Sequence, residues 1–69
     1  MEFHLKDSQE FIPLIQLLKA AGIAYSGSEA QQMVVSGMVR VNGETELRKR
    51  AKIRSGFLVE VEGNQVKVV

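Results

Sequence analysis

The residues with the clearest chemistry are basic side chains concentrated in one stretch of the chain. Between Arg40 and Arg54 there are six basic and two acidic residues, a net charge of +4, whereas the rest of the chain carries −3. The planar guanidinium of arginine suits phosphate oxygens, and lysine adds a mobile point charge. A charge run is also typical of a plain solvated face. The candidates for phosphate contact are Arg40, Arg48, Lys49, Arg50, Lys52 and Arg54.

A second candidate site lies where the spacing of Ser26 and Glu29 predicts a capped helix. In a capping box the serine accepts from an N–H one turn in, and the glutamate accepts from the serine's own N–H. The free N–H groups of Gly27 and Ser28 could also bind an anion. Because Glu29 competes for these donors, we interpret the segment first as a structural cap and second as a phosphate contact.

Catalysis and metal binding are poorly supported by the residue types. His4 is the only histidine and cysteine is absent, so neither the usual zinc ligands nor a histidine-assisted nucleophile can assemble. Glutamates two residues apart, such as Glu60 and Glu62, are typical of the outward face of a half-buried sheet. We therefore expect no enzyme activity and no cofactor, and we expect His4 to be an exposed strand residue.

Composition limits the cellular context. A 69-residue chain predicts a single domain, residues 1–69, near the lower size limit for a hydrophobic core. The absence of cysteine favours a reducing cytoplasm, and no apolar run approaches the roughly 20 residues of a membrane span. The start of the chain lacks the features of a signal peptide. We expect a cytoplasmic monomer without a membrane partner.

Two helices are predicted in the first half of the chain. A proline is well tolerated at the first helical position, so helix one is placed from Pro13 to the glycine at position 22. Helix two follows the serine cap and ends at Gly37, a residue type that readily adopts the left-handed conformation. The linking residues Ile23 and Tyr25, and the later Met33 and Met38, are expected to pack inward.

Strands are predicted on both sides of the basic stretch and at the start of the chain. A short strand is expected over residues 2–6, and Asn42-Gly43 after Val39–Val41 is a strong hairpin signal. If the basic stretch is extended, Leu47, Ala51 and Ile53 point away from its charges. Residues 58–62 and 65–69 predict strands joined at Gly63-Asn64, with the alternating valines inward. The fold class is α+β, with two helices on one small curved, mostly antiparallel sheet.

These pieces in this order resemble the S4-type RNA-binding domain, which carries the alpha-L motif. The resemblance covers residues 12–61 and includes Leu17-Leu18-Lys-Ala-Ala-Gly-Ile, Ser26-Gly-Ser-Glu-Ala, Val39-Arg-Val-Asn-Gly, the basic segment and Gly56. Within this family the chain is most similar to the small stand-alone bacterial YbcJ-like proteins. The resemblance implies a surface on helix two and the following hairpin that grips structured RNA, with Ser26, Ser28, Gln32, Arg40 and the segment 48–52 in contact.

Two positions depart from the family pattern. Gly27 stands where many members have arginine, which removes one expected phosphate contact, and Phe57 stands where aspartate is common. All four aromatic residues lie outside the basic stretch, so the basic-aromatic pattern of single-strand binders is missing. We therefore expect folded or double-stranded RNA. The family resemblance implies that this RNA is ribosomal or tRNA-like, or part of a ribosomal particle. The alternative function is a protein–protein adaptor that pairs through an exposed sheet edge or the basic patch.

Overall fold

The computed structural model describes residues 1–69 and contains two helices, a five-stranded sheet and a two-stranded ribbon. This arrangement confirms the predicted α+β class. The elements are β1 (Glu2–Phe3), β2 (Ile12–Pro13), α1 (Leu14–Ala20), α2 (Gly27–Val35), β3 (Val39–Val41), β4 (Glu44–Thr45), β5 (Lys52–Ile53), β6 (Leu58–Val61) and β7 (Asn64–Val68).

Helix α1 begins one residue later than predicted. Pro13 has an extended backbone and pairs with Lys52, so it precedes the helix rather than opening it. Leu14, Leu17 and Leu18 form the fully buried face of the helix. Neither α1 nor α2 is long and apolar enough to cross a membrane.

Helix α2 confirms the predicted cap, with one correction. The Ser26 Oγ accepts from the Glu29 N–H at 3.1 Å, as expected. The Glu29 carboxylate, however, accepts from the N–H of Tyr25 at 2.8 Å rather than from that of Ser26. The carboxylate therefore also fixes the backbone of the residue before the cap. Gly37 follows the helix at φ +82°, in the left-handed conformation that was predicted.

The main sheet has the strand order β1-β7-β6-β3-β4, and every pairing except the parallel β1–β7 pair is antiparallel. Strand β1 is shorter than predicted, and His4 lies just beyond it, exposed as expected. The strand register places one side-chain face of the sheet on the core. The inward valines predicted in β6 and β7 are confirmed, and with Val39 of β3 the buried set is Val39, Val59, Val61, Val66 and Val68.

Two hairpin turns join antiparallel neighbours in the main sheet, and only one lies where the sequence predicted it. Val41 pairs with Glu44 across Asn42 (φ +52°) and Gly43 (φ +86°), which confirms the two-residue primed turn. The turn between β6 and β7 is Glu62-Gly63 rather than Gly63-Asn64. Its residues have φ values of +46° and +83°, because Val61 pairs with residue 64.

The expectation of a single sheet was incomplete. Ile12 pairs with Ile53 in a separate antiparallel ribbon, β2–β5, which shares the hydrophobic core with the main sheet. The chain before β5 turns at Lys49-Arg50, where the Ala51 N–H donates to the Arg48 carbonyl at 3.2 Å. The basic stretch is therefore not extended, although the inward position predicted for Ala51 and Ile53 is confirmed.

Three side chains that were expected inside face solvent. Tyr25 is 94% exposed, because its backbone is fixed at the entrance to α2 and its ring has no neighbouring element to cover it. Leu47 is 59% exposed and lies beyond the end of β4. Met38 is 36% exposed, whereas Met33 packs against the core as predicted.

The primed turn gives the first testable prediction. No atom lies within 4 Å of a Cβ built on Gly43, so the cost of a side chain there is conformational rather than steric. Gly43→Val should destabilise the protein by about 1–3 kcal/mol, which lowers the melting temperature by at least about 4 °C. Glu44→Val, its neighbour in strand conformation, should have little effect. Equal losses in thermal melts would contradict the turn assignment.

Candidate functional site

The basic segment is attached to the start of helix α1 by backbone hydrogen bonds. The N–H of Leu14 donates to the Ala51 carbonyl at 2.9 Å, and the N–H of Ile15 donates to the Lys49 carbonyl at 3.1 Å. The first N–H groups of any helix lack partners within the helix, so these bonds satisfy donors that would otherwise need water or a capping side chain. We call residues 48–54 the basic loop. Its backbone is fixed while its charged side chains remain at the surface.

One charge of the basic loop already has a partner inside the protein. The Arg48 Nε and Nη2 donate to the two carboxylate oxygens of Glu46, both at 3.1 Å, and the Arg48 backbone N–H donates to the same carboxylate at 3.0 Å. The Glu46 side chain is 17% exposed, whereas that of Arg48 is 80% exposed. The side-chain bonds from Arg48, followed by its backbone bond, hold the pKa of Glu46 below its ordinary value.

The other cations of the basic loop have no acidic partner within 4 Å. They are Lys49, Arg50, Lys52 and Arg54, and all four are exposed. The Lys52 ammonium lies 5.1 Å from the centre of the Phe11 ring, at the distance of a cation–π contact. Such contacts orient a lysine without neutralising it, so four positive charges remain available to an anionic ligand.

A shallow concavity of about 470 Å³ opens beside the basic loop. Three of its lining residues are basic and none is acidic; the set is Arg48, Arg50, Ala51, Lys52 and Phe57. The concavity shows that Phe57, which is separated from the charges in sequence by a turn, adjoins them in the fold. Sequence reasoning missed this contact. The available signal was only that Phe57 follows the Ser55-Gly56 turn three residues after Arg54.

Arg40 lies elsewhere, on the outer face of the main sheet. It stands opposite Glu60 on one neighbouring strand and Thr45 on the other. It lines a different depression, of about 410 Å³, which also contains Glu60 and Glu62. The electrostatic surroundings of Arg40 are therefore mixed, in contrast to those of the basic loop.

The helix residues expected at the site are also outside the concavity of the basic loop. The Ser26 hydroxyl is engaged in the helix cap. Ser28 and Gln32 are exposed and lie four residues apart, on one side of α2. The structure thus places the predicted contact residues in three groups, of which the basic loop carries the largest concentration of unpaired charge.

Comparison with known proteins places this fold in a defined family. A family model described as the S4 domain matches residues 3–69. YbcJ of Escherichia coli strain K12 and YbcJ of Shigella flexneri are each 41% identical to the chain over 58 residues, covering 84% of the chain and 83% of each relative. A tyrosine–tRNA ligase of Nitrosospira multiformis is 36% identical over 58 residues, but those residues are only 14% of that enzyme.

A solved structure agrees with these sequence matches. The solution structure of YbcJ from E. coli, described as revealing an alpha-L motif involved in RNA binding, superposes with a TM-score of 0.76 at 38% identity. The superposition covers 99% of the chain and 85% of that protein. The chain belongs to the S4 domain family, which confirms the family resemblance identified from its sequence.

The pair of Glu46 and Arg48 predicts a pH-dependent contribution to stability. Because the folded pKa of Glu46 is lowered, the pair should stabilise the fold above the unfolded pKa of about 4.3 and lose this effect as pH falls through the lower folded value. Glu46→Gln should lower the melting temperature slightly at pH 7 and leave it unchanged near pH 2. Glu44→Gln, an exposed neighbour without an arginine partner, is the control. A deficit of Glu46→Gln that persists at pH 2 would contradict the assignment.

Proposed function

We propose that this protein is a non-catalytic module that binds structured RNA chiefly through the basic loop. Membership of the S4 domain family and the likeness to YbcJ support RNA as the partner class. Ribosomal RNA, a tRNA-like structure or a ribosomal particle is the proposed target. We also propose that the protein acts in the cytoplasm as a monomer with a single domain, residues 1–69. It would need neither a cofactor nor a membrane partner.

One observation carries the proposal: four exposed cations without acidic partners are held in one backbone-fixed loop. The four cations repel one another, so the cluster does not stabilise the fold. Exposed charges in general contribute little to the stability of a protein. A phosphate backbone relieves the repulsion and releases counterions when it binds. Fixing the loop in advance also reduces the entropy lost on binding.

Contacts from helix α2 and the sheet are secondary in this proposal. Ser26, Ser28, Gln32 and Arg40 supply hydrogen bonds or single charges at the margins of the interface. A Cβ on Gly27 would have no atom within 4 Å, so the position has room for the arginine found in many family members. Its absence leaves the basic loop as the main source of positive charge.

The adaptor alternative rests on strand addition at a sheet edge, and the edges offer little for it. The two edge strands of the main sheet, β1 and β4, are two residues long. Short edge strands present few unpaired backbone groups to a partner. The basic loop could also bind an acidic protein, and the experiment below distinguishes this binding from RNA binding.

The test is a salt titration of binding to a structured ribosomal RNA fragment. Lys49→Gln/Arg50→Gln removes two exposed charges from the basic loop, and Lys6→Gln/Lys19→Gln removes two exposed lysines elsewhere. Each lost phosphate contact should reduce the slope of log affinity against log salt by about 0.7–0.9. The loop variant should therefore lose about 1.4–1.8 from the slope and bind weakly at physiological salt, with an unchanged melting curve.

The control variant loses the same number of positive charges as the loop variant. It therefore separates the effect of charges in the basic loop from the effect of net charge. We expect Lys6→Gln/Lys19→Gln to retain nearly the wild-type slope. A loop variant that folds and keeps the wild-type slope would remove the basic loop from the mechanism. Absence of RNA binding by the wild type, together with a captured acidic protein, would support the adaptor instead.

A further inference from the structure

The concavity beside the basic loop offers an aromatic surface as well as charge. Phe57 packs against the hydrophobic core on one side and is half-buried, and it contributes to the lining together with Arg50 and Lys52. A volume of about 470 Å³ falls within the roughly 300–1,000 Å³ of ordinary small-ligand sites. The concavity is open to solvent and has room for a planar group and a neighbouring anion.

The aromatic ring is held on a fixed segment of backbone. The Phe57 N–H donates to the Arg54 carbonyl at 3.1 Å, and the Phe57 carbonyl accepts from the Val68 N–H at 2.9 Å. The first bond closes the turn that follows the basic loop, and the second ties residue 57 to β7. The distance between ring and loop is thus set by the fold rather than by a flexible tail.

Charge and composition define the ligand that suits this site. No acidic residue lines the concavity, so cationic ligands find no partner there. The apolar lining adds nothing to the binding of a bare phosphate, whereas bases stack on aromatic side chains in a sequence-tolerant way. A group that combines a π face with an adjacent negative charge uses both features, and a nucleotide is such a group.

We propose that this concavity receives one unpaired nucleotide of the bound RNA, with its base against Phe57 and its phosphate near Arg50 and Lys52. This inference rests on the proposed RNA-binding function and refines it. Bases inside a duplex have both faces covered, so only a bulge, a loop or an end can present one. The preferred RNA is then a folded structure with an extruded nucleotide rather than a continuous helix.

The experiment compares two RNA hairpins that differ only by a single bulged adenosine. Wild-type protein should bind the bulged hairpin about five-fold more tightly or better, in the range expected for one base–aromatic stack. Phe57→Leu keeps an apolar side chain but removes the ring, and should abolish the preference, so that the bulged and paired hairpins bind with equal affinity. Phe57→Tyr keeps the ring and should retain the preference. All variants are compared at a temperature where melting curves show them folded.

A second readout does not depend on the stability of the variants. With 2-aminopurine at the bulge, stacking on Phe57 should change the fluorescence when wild-type protein binds. Equal binding of both hairpins by the wild type, an unchanged fluorescence, or a preference that survives in Phe57→Leu would overturn the inference while leaving RNA binding intact. Failure to bind either hairpin would instead overturn the proposed function. A polyglutamate peptide that binds with an equal dependence on Phe57 would also overturn the nucleotide assignment.

Discussion

The structure depends on the junction between the start of helix α1 and the basic loop. Leu14 and Ile15 donate their backbone N–H groups to carbonyls of the loop, and the adjoining Ile12 pairs with Ile53. These bonds satisfy helix donors, bury two isoleucines and connect segments about forty residues apart in sequence. Apart from the buried Ala51 and Ile53, the side chains of the loop are charged and exposed, so these backbone bonds supply most of the remaining contacts that fix it.

This junction separates the requirements of folding from those of binding. Backbone hydrogen bonds hold the loop, so the fold does not depend on its charged side chains. Of its cations, only Arg48 forms an ion pair within the protein, with Glu46. The outer face of the sheet differs, because Arg40 lies beside the acidic Glu60 of the neighbouring strand. Positive charge is therefore not concentrated there. The positive potential is thus localised where the backbone is fixed, which is the arrangement that a phosphate-binding surface needs.

The features that the sequence predicted well are those decided by local rules. The serine cap, Gly37, the Asn42-Gly43 turn and the alternating valines each depend on residues close together in the chain, and each is present in the fold. The ribbon β2–β5 was missed because two-residue strands have no periodicity to detect. The contact between Phe57 and the basic loop was missed because the Ser55-Gly56 turn lies between them, and the sequence does not show how that turn orients the ring that follows it.

The central claim is that RNA contacts the basic loop while its junction with α1 stays closed. The most direct measurement is an NMR titration of isotopically labelled protein with a structured ribosomal RNA fragment. We expect the largest shift changes at residues 48–54 and at Phe57, with the amides of Leu14 and Ile15 still protected from hydrogen exchange. Changes centred on Arg40 and the outer sheet face, or loss of protection at those two amides, would contradict the account.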